Sequence, residues 1–207
     1  MAPGAPPVDL VPHGELGGRG GWGSGVLNRL PSKNLAGEKI FSYCILDRDY
    51  FPDAEVAERY EEARQWKVNL RIWSRKELEN YLLVPGAISR LIKDRATGGS
   101  FPDDSVVSNK INEIVDAMRD DPITDSLTKI LYDRDKKAGV PKAMSRSRKI
   151  VEQRWKSQDS RWAIAPGKEV ISQLSAWSKA EFGVSFSPEQ IGRALQPEEV
   201  DSEVKRC

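Results

Sequence analysis

Two short apolar runs, separated by one stretch of helical length, constrain this chain more than any other feature. The first lies in FSYCILDRDYFP (residues 41–52) and reads as a strand over residues 41–46, apolar and rich in aromatic and β-branched residues. The second lies in residues 68–73, just before SRKELENYLL. Between them Asp53 can cap a helix with Val56, Tyr60 and Ala63 on one face and acids near its positive end. A strand, a crossover helix and a strand make a βαβ unit, which requires parallel strands. Sites in such sheets form at the carboxyl ends of the strands.

After Pro85 strand signals stop. Helical spacing runs through Ile88, Leu91 and Ile92, then Val107, Ile111, Ile114 and Met118, then Ile123, Leu127, Ile130 and Leu131. Later helices carry Ile150, Val151 and Trp155, then Val170, Leu174 and Trp177, and a last one opens at Ser187-Pro188 with Gln190 completing a capping box ahead of Ile191 and Leu195. The expected class is α/β: a partial parallel sheet built on one βαβ unit, followed by an all-helical C-terminal domain. Three regions follow: a Gly/Pro-rich segment at 1–36 with one strand candidate in VDLVP, a metal-binding core at 37–85, and a helical domain at 86–207.

The run HGELGGRGGWGSG lacks the spacing and the Lys-Ser/Thr ending of a phosphate-binding loop, and His13 is the only histidine. At 39% apolar and 30% charged, the chain is too apolar for wholesale disorder. Cys44 and Cys207 form neither a disulfide framework nor a zinc pattern, and no apolar run reaches the length of a membrane span. A cytoplasmic location is expected. The net charge of +1 hides segregation: residues 101–125 carry seven acids against two bases, and residues 133–162 carry ten bases against four acids, with Trp155 and Trp162 interleaved. A basic stripe with aromatics suits a phosphate backbone; a solvated helix face, partly neutralised by the acidic segment, is the alternative.

Asp47 and Asp49 follow the first strand. In extended backbone both side chains share a face, with Cα atoms about 7 Å apart. A hard cation such as Mg²⁺ takes oxygen ligands and relieves the repulsion of paired carboxylates. After the second strand, Ser74 and Glu77 have capping-box spacing, which starts a helix at Arg75 and gives Glu77 a structural task. Glu79 then becomes the first choice as a further metal ligand and Glu77 the second, with Asn80 and Tyr81 available to orient it.

Together LDRDYFP and WSRKELENYLLVP resemble the toprim domain of the overcoming-lysogenization-defect (OLD) family nucleases, a group usually fused to an ABC-type ATPase. PGKEVISQLSAWSKAEFGVSFSPEQIGRAL is similar to that family's helical C-terminal part. The resemblance implies metal-dependent cleavage of DNA phosphodiesters, with Asp47, Asp49 and Glu79 as ligands of Mg or Mn in a two-metal site. Lys168 would face the scissile phosphate or the leaving oxygen. Arg146, Arg148, Lys149, Arg154 and Lys156 would track the DNA backbone. The family's opening strand and its EG glutamate have no counterpart, the setting of Glu15 in HGELGG not matching, so the toprim region is expected to be truncated at its N-terminus. Expected partners are DNA and an ABC-type ATPase domain or chain, with no membrane; a homo-oligomer is compatible with this assignment. The alternative is a catalytically impaired nucleic-acid-binding or regulatory remnant that needs a partner ATPase chain. A phosphatase of the haloacid dehalogenase type also places DxD after a strand, but Tyr50 and Phe51 stand where it wants small residues.

Overall fold

A computed structural model describes residues 43–66 and 68–206. Of the described residues 69% are helical, with a two-stranded parallel sheet, which matches the expected α/β organisation with a helical C-terminal region. The strand candidate in VDLVP, the Gly-rich run, His13, Glu15, residues 41–42 and Cys207 lie outside the described residues.

Strand β1 is Tyr43–Leu46, helix α1 is Asp53–Gln65 and strand β2 is Asn69–Ile72, with β1 and β2 hydrogen-bonded neighbours. Helix α1 opens with Asp53 and Glu55 and carries Arg64 in its last turn, so both ends oppose the helix dipole with the favourable charge. Its inner face is the expected one: Val56 and Tyr60 are half-buried and Ala63 is buried.

Contacts divide the chain into two units. In the first, residues 43–44 with 57–66 and 68–70, Ala63 and Val68 form a small core flanked by Cys44 and Leu70. The second comprises residues 45–56 and 71–206. Its helices are α2 (Pro85–Arg95), α3 (Asp104–Ala117), α4 (Asp125–Arg134), α5 (Val140–Arg154), α6 (Gln158–Ile164), α7 (Gly167–Phe182), α8 (Pro188–Ala194) and the short α9 (Ser202–Lys205). Ile88 and Ile92 of α2, Val107 and Ile111 of α3, Ile171 and Leu174 of α7 and Ile191 of α8 are fully buried in one core. Each such side chain contributes about 1.5–3 kcal/mol. Between α3 and α4 a π-helical segment, Arg119–Thr124, breaks at Asp121 (φ −130°, ψ 122°), because the residue before Pro122 is pushed to extended backbone. The capping box at Ser187 and Gln190 forms as the spacing predicts.

One local expectation fails. No helix starts at Arg75, and Ser74 and Glu77 form no capping box. Residues 74–77 are irregular, and a 3₁₀-helix, Leu78–Leu82, follows with Glu77 at its N-cap position. Long-range bonds outcompete the local box: the Ser74 backbone N–H and hydroxyl both donate to the Glu203 carboxylate of α9, and the Lys76 N–H donates to the Ala163 carbonyl at 2.7 Å.

Asn80 fastens the 3₁₀ turn to the connection between α6 and α7. Its Nδ2 donates to the carbonyls of Trp162 (2.7 Å) and Ala165 (2.9 Å), and its Oδ1 accepts the Glu77 N–H at 2.8 Å. It is 1% exposed, so every one of those bonds replaces a lost bond to water. Gly167 lets α7 come this close. A Cβ there would stand 2.9 Å from the Asn80 backbone nitrogen and 3.1 Å from both Asn80 Oδ1 and the Glu79 carbonyl carbon. None of those atoms can yield, since each belongs to backbone or to the pinned amide. Gly167→Ala is therefore expected to lower stability by about 1–3 kcal/mol. Gly99→Ala, with nothing within 4 Å of the added carbon, should stay near wild type. Urea unfolding of both variants measures the difference.

Candidate functional site

Strand β1 stops at Leu46, so the two aspartates of LDRDYFP sit on irregular backbone beyond it rather than on one face of an extended strand. Asp49 has φ 47°, the one positive φ of a non-glycine residue among the described residues. Aspartate tolerates the left-handed region better than most side chains, and such strain clusters where a side chain must be aimed. Each aspartate is tied to the turn after β2. The Asp49 N–H donates to the Lys76 carbonyl at 2.9 Å, and Asp47 Oδ1 accepts the Leu78 N–H at 3.1 Å. The two acidic stretches found in the sequence are thus held against each other.

Glu77 is 9% exposed and has found a different structural task from the one its spacing implies. Its Oε2 accepts the Lys168 N–H at 3.0 Å, which places a carboxylate on the first turn of α7, and its Oε1 takes the Lys76 ammonium. Burial alone would raise its pKa, but the hydrogen bonds from Lys76 and the Lys168 backbone, with the charges of both lysines, hold it below the ordinary value. Glu79, one residue beyond Leu78, has its Oε1 4.0 Å from the Lys168 ammonium. Asp49 goes the other way. Burial by its surroundings raises its carboxyl above the ordinary value; Lys76 opposes this, the Asp47 and Glu77 charges add to it, and Lys168 again opposes it. Asp49 nonetheless keeps an open solvent face.

Asp47, Asp49, Glu77, Glu79 and Lys168 are therefore brought into one locale, with Lys76 in their midst. The donors are carboxylate oxygens, the chemistry a hard divalent cation prefers, and Asp49 carries the like-charge load that a cation would relieve. They are not pre-closed: among the described residues no group of three or more His, Cys, Asp or Glu side chains is placed to hold a metal ion. Lys76 and Lys168 supply the positive charge instead. Asn80 holds the turn and does not touch the Glu79 carboxylate; Tyr81 is 6% exposed, its ring tilted against Trp73 and its hydroxyl bonded to Glu203.

The basic stripe lies mainly on α5. Arg146, Arg148, Lys149 and Lys156 are exposed and Arg154 is half-buried, while Ala143, Ser147 and Val151 face the core. The interleaved tryptophans are engaged in holding the helices together. Trp162 is buried with Nε1 donating to Asn112 Oδ1 at 2.9 Å, and Trp155 Nε1 donates to Asp116 Oδ1 at 2.8 Å. That is the same Asp116 that lies 3.5 Å from Arg161, so part of the acidic segment serves the basic one.

Lys76, Gly167 and Glu203 were not singled out as site-forming by spacing, and Asn80 was expected to orient Glu79 rather than to fasten the turn. Only the Pro-Gly before α7 carried a signal, a helix start with room for close backbone approach; the others act through contacts distant in sequence. No protein-family model, curated protein or solved structure matches the chain.

Because the Glu77 pKa is lowered on folding, its contribution is present above the unfolded value of 4.5 and is lost as the pH falls through the lower folded value. Urea midpoints measured from neutral pH downward should fall in that acid range. In Glu77→Gln, which costs about 1 kcal/mol at neutral pH, that part of the fall should flatten.

Proposed function

We propose that this chain is a divalent-metal-dependent nuclease of the toprim/OLD type, acting on DNA phosphodiester bonds. What supports it above all is the meeting of Asp49, Glu79 and Lys168, residues far apart in sequence, around one solvent-open edge. Asp47, Asp49 and Glu79 would hold Mg²⁺ or Mn²⁺, with Glu77 left to cap α7. When bound, the metal supplies an activated water and neutralises charge on the phosphate. Lys168, 65% exposed beyond Glu79, is placed to meet a phosphate oxygen from solvent, where a fixed cation stabilises developing negative charge. The exposed bases of α5 would engage the backbone of a longer substrate and make binding fall with salt. An ABC-type ATPase chain is the partner that this assignment implies.

One observation favours the other assignment, a nucleic-acid-binding remnant without catalysis: the carboxylates are already neutralised by lysines and do not close on a common point. The two separate cleanly. Purified protein incubated with plasmid and Mg²⁺ or Mn²⁺ should nick or linearise it, and Asp49→Ala should cut at least about a hundredfold more slowly. Equal cutting by both proteins refutes the metal-site assignment. Salt-dependent DNA binding that persists in EDTA, with no cutting by either, establishes the remnant.

A further inference from the structure

Beside the carboxylates, a cavity of about 360 Å³ opens between the end of β1 and helix α4, lined by Asp49, Tyr50, Phe51, Lys76, Ser126 and Lys129 among others. That is within the size range of small-ligand sites. Its composition is specific. Two aromatic residues, Tyr50 and Phe51, line it with two lysines from separate elements, Lys76, which is paired with Glu77, and Lys129. Lys76 lies 5.2 Å from the Tyr50 ring centroid, and the Arg134 guanidinium stands 5.8 Å from that of Phe51, so both rings are flanked by cations. Lys129 is exposed on α4 and makes no ion pair among the described residues. Tyr50 carries a buried hydroxyl with no hydrogen-bond partner among them.

We propose that this cavity is a single-nucleotide subsite, in which a nucleobase lies on Phe51 beside Tyr50 while its phosphate is held by Lys129, the lysine that makes no ion pair among the described residues. The proposal deepens the nuclease assignment, on which it rests, by naming where the nucleotide next to the scissile bond sits. Stacking on aromatic rings tolerates any base, as an enzyme cutting without sequence preference requires. Asp49 and Asp133 line the same cavity and balance the two lysines, so a bare anion gains little there. The aromatic surface must supply the remainder, which selects a nucleotide over free phosphate.

Thymidine 3′,5′-bisphosphate is the probe, because it is the size of one nucleotide, and the Lys149→Gln variant reports any binding on the α5 stripe instead. Titrated into the whole chain in EDTA and followed by calorimetry, it should bind, and bind more tightly than inorganic phosphate. Phe51→Leu and Lys129→Gln should each weaken it about tenfold, while Lys149→Gln on α5 should not; thermal melts confirm folding, and Lys129→Gln, at an exposed position, decides alone if Phe51→Leu unfolds. No binding, binding no tighter than that of inorganic phosphate, or equal binding by wild type and the folded cavity variants overturns the proposal. If the cavity variants lose the nucleotide but wild type never cuts DNA, the subsite stands and the nuclease assignment falls. If Asp49-dependent cutting occurs and the cavity variants bind normally, the reverse holds.

Discussion

The buried amide of Asn80 is the interaction on which the second unit's chemistry depends. Two of its hydrogen bonds join the turn after β2 to the chain leading into α7, and a third, accepted from the Glu77 N–H, closes the turn itself. In water such bonds net little, about 1 kcal/mol apiece, but once the amide is sealed from solvent each partner left unmatched costs about 1–3 kcal/mol. That asymmetry fixes the turn in one arrangement. With it come Glu77 on the α7 terminus, Glu79 facing Lys168, and the Leu78 N–H that donates to Asp47. Gly167 is the steric complement of the same contact.

The electrostatics follow from that scaffold. Four carboxylates crowd around the strand ends, and two lysines offset them unequally. Glu77 is buried, doubly bonded and held in its charged form, whereas Asp49 is pushed toward protonation by burial and by its acidic neighbours. Two carboxylates near each other with opposite displacements divide the labour: one is committed to the fold, and the other is left at a solvent-open edge, raised chiefly by burial. A further acid, Glu203, does for β2 what Glu77 does for α7. Burial would raise its pKa, but the Ser74 and Tyr81 hydroxyls and the Arg71 charge outweigh it and hold it low.

Periodicity made the helices and the strand–helix–strand order legible, because those patterns are local: apolar residues at helical spacing from Ile88 to Leu195, an apolar run at Tyr43–Leu46 and the alternation of Val68, Leu70 and Ile72 with Asn69 and Arg71. The Ser187 capping box was legible for the same reason. The Ser74 box was not, since partners distant in sequence take the groups it would use: Glu203 accepts the Ser74 N–H and hydroxyl, and the Glu77 carboxylate accepts the Lys168 N–H. The acidic residues could be named from LDRDYFP and KELENYLL, but not their geometry. The left-handed turn at Asp49 and the assignment of Glu77 to α7 arise only when those segments meet. Tryptophans in a basic stretch read equally well as stacking platforms or as anchors, and the bonds of Trp155 and Trp162 to α3 decide for anchors.

The proposed function requires the edge bearing Asp49 to take a divalent cation in place of its lysine neutralisation. Titration of Mn²⁺ into the intact chain, followed by the loss of the free-ion electron paramagnetic resonance signal, tests it without any substrate. The account predicts saturable binding that Asp49→Asn weakens at least about tenfold while the melting temperature holds. Binding that is absent in wild type, or unchanged in the folded variant, contradicts it.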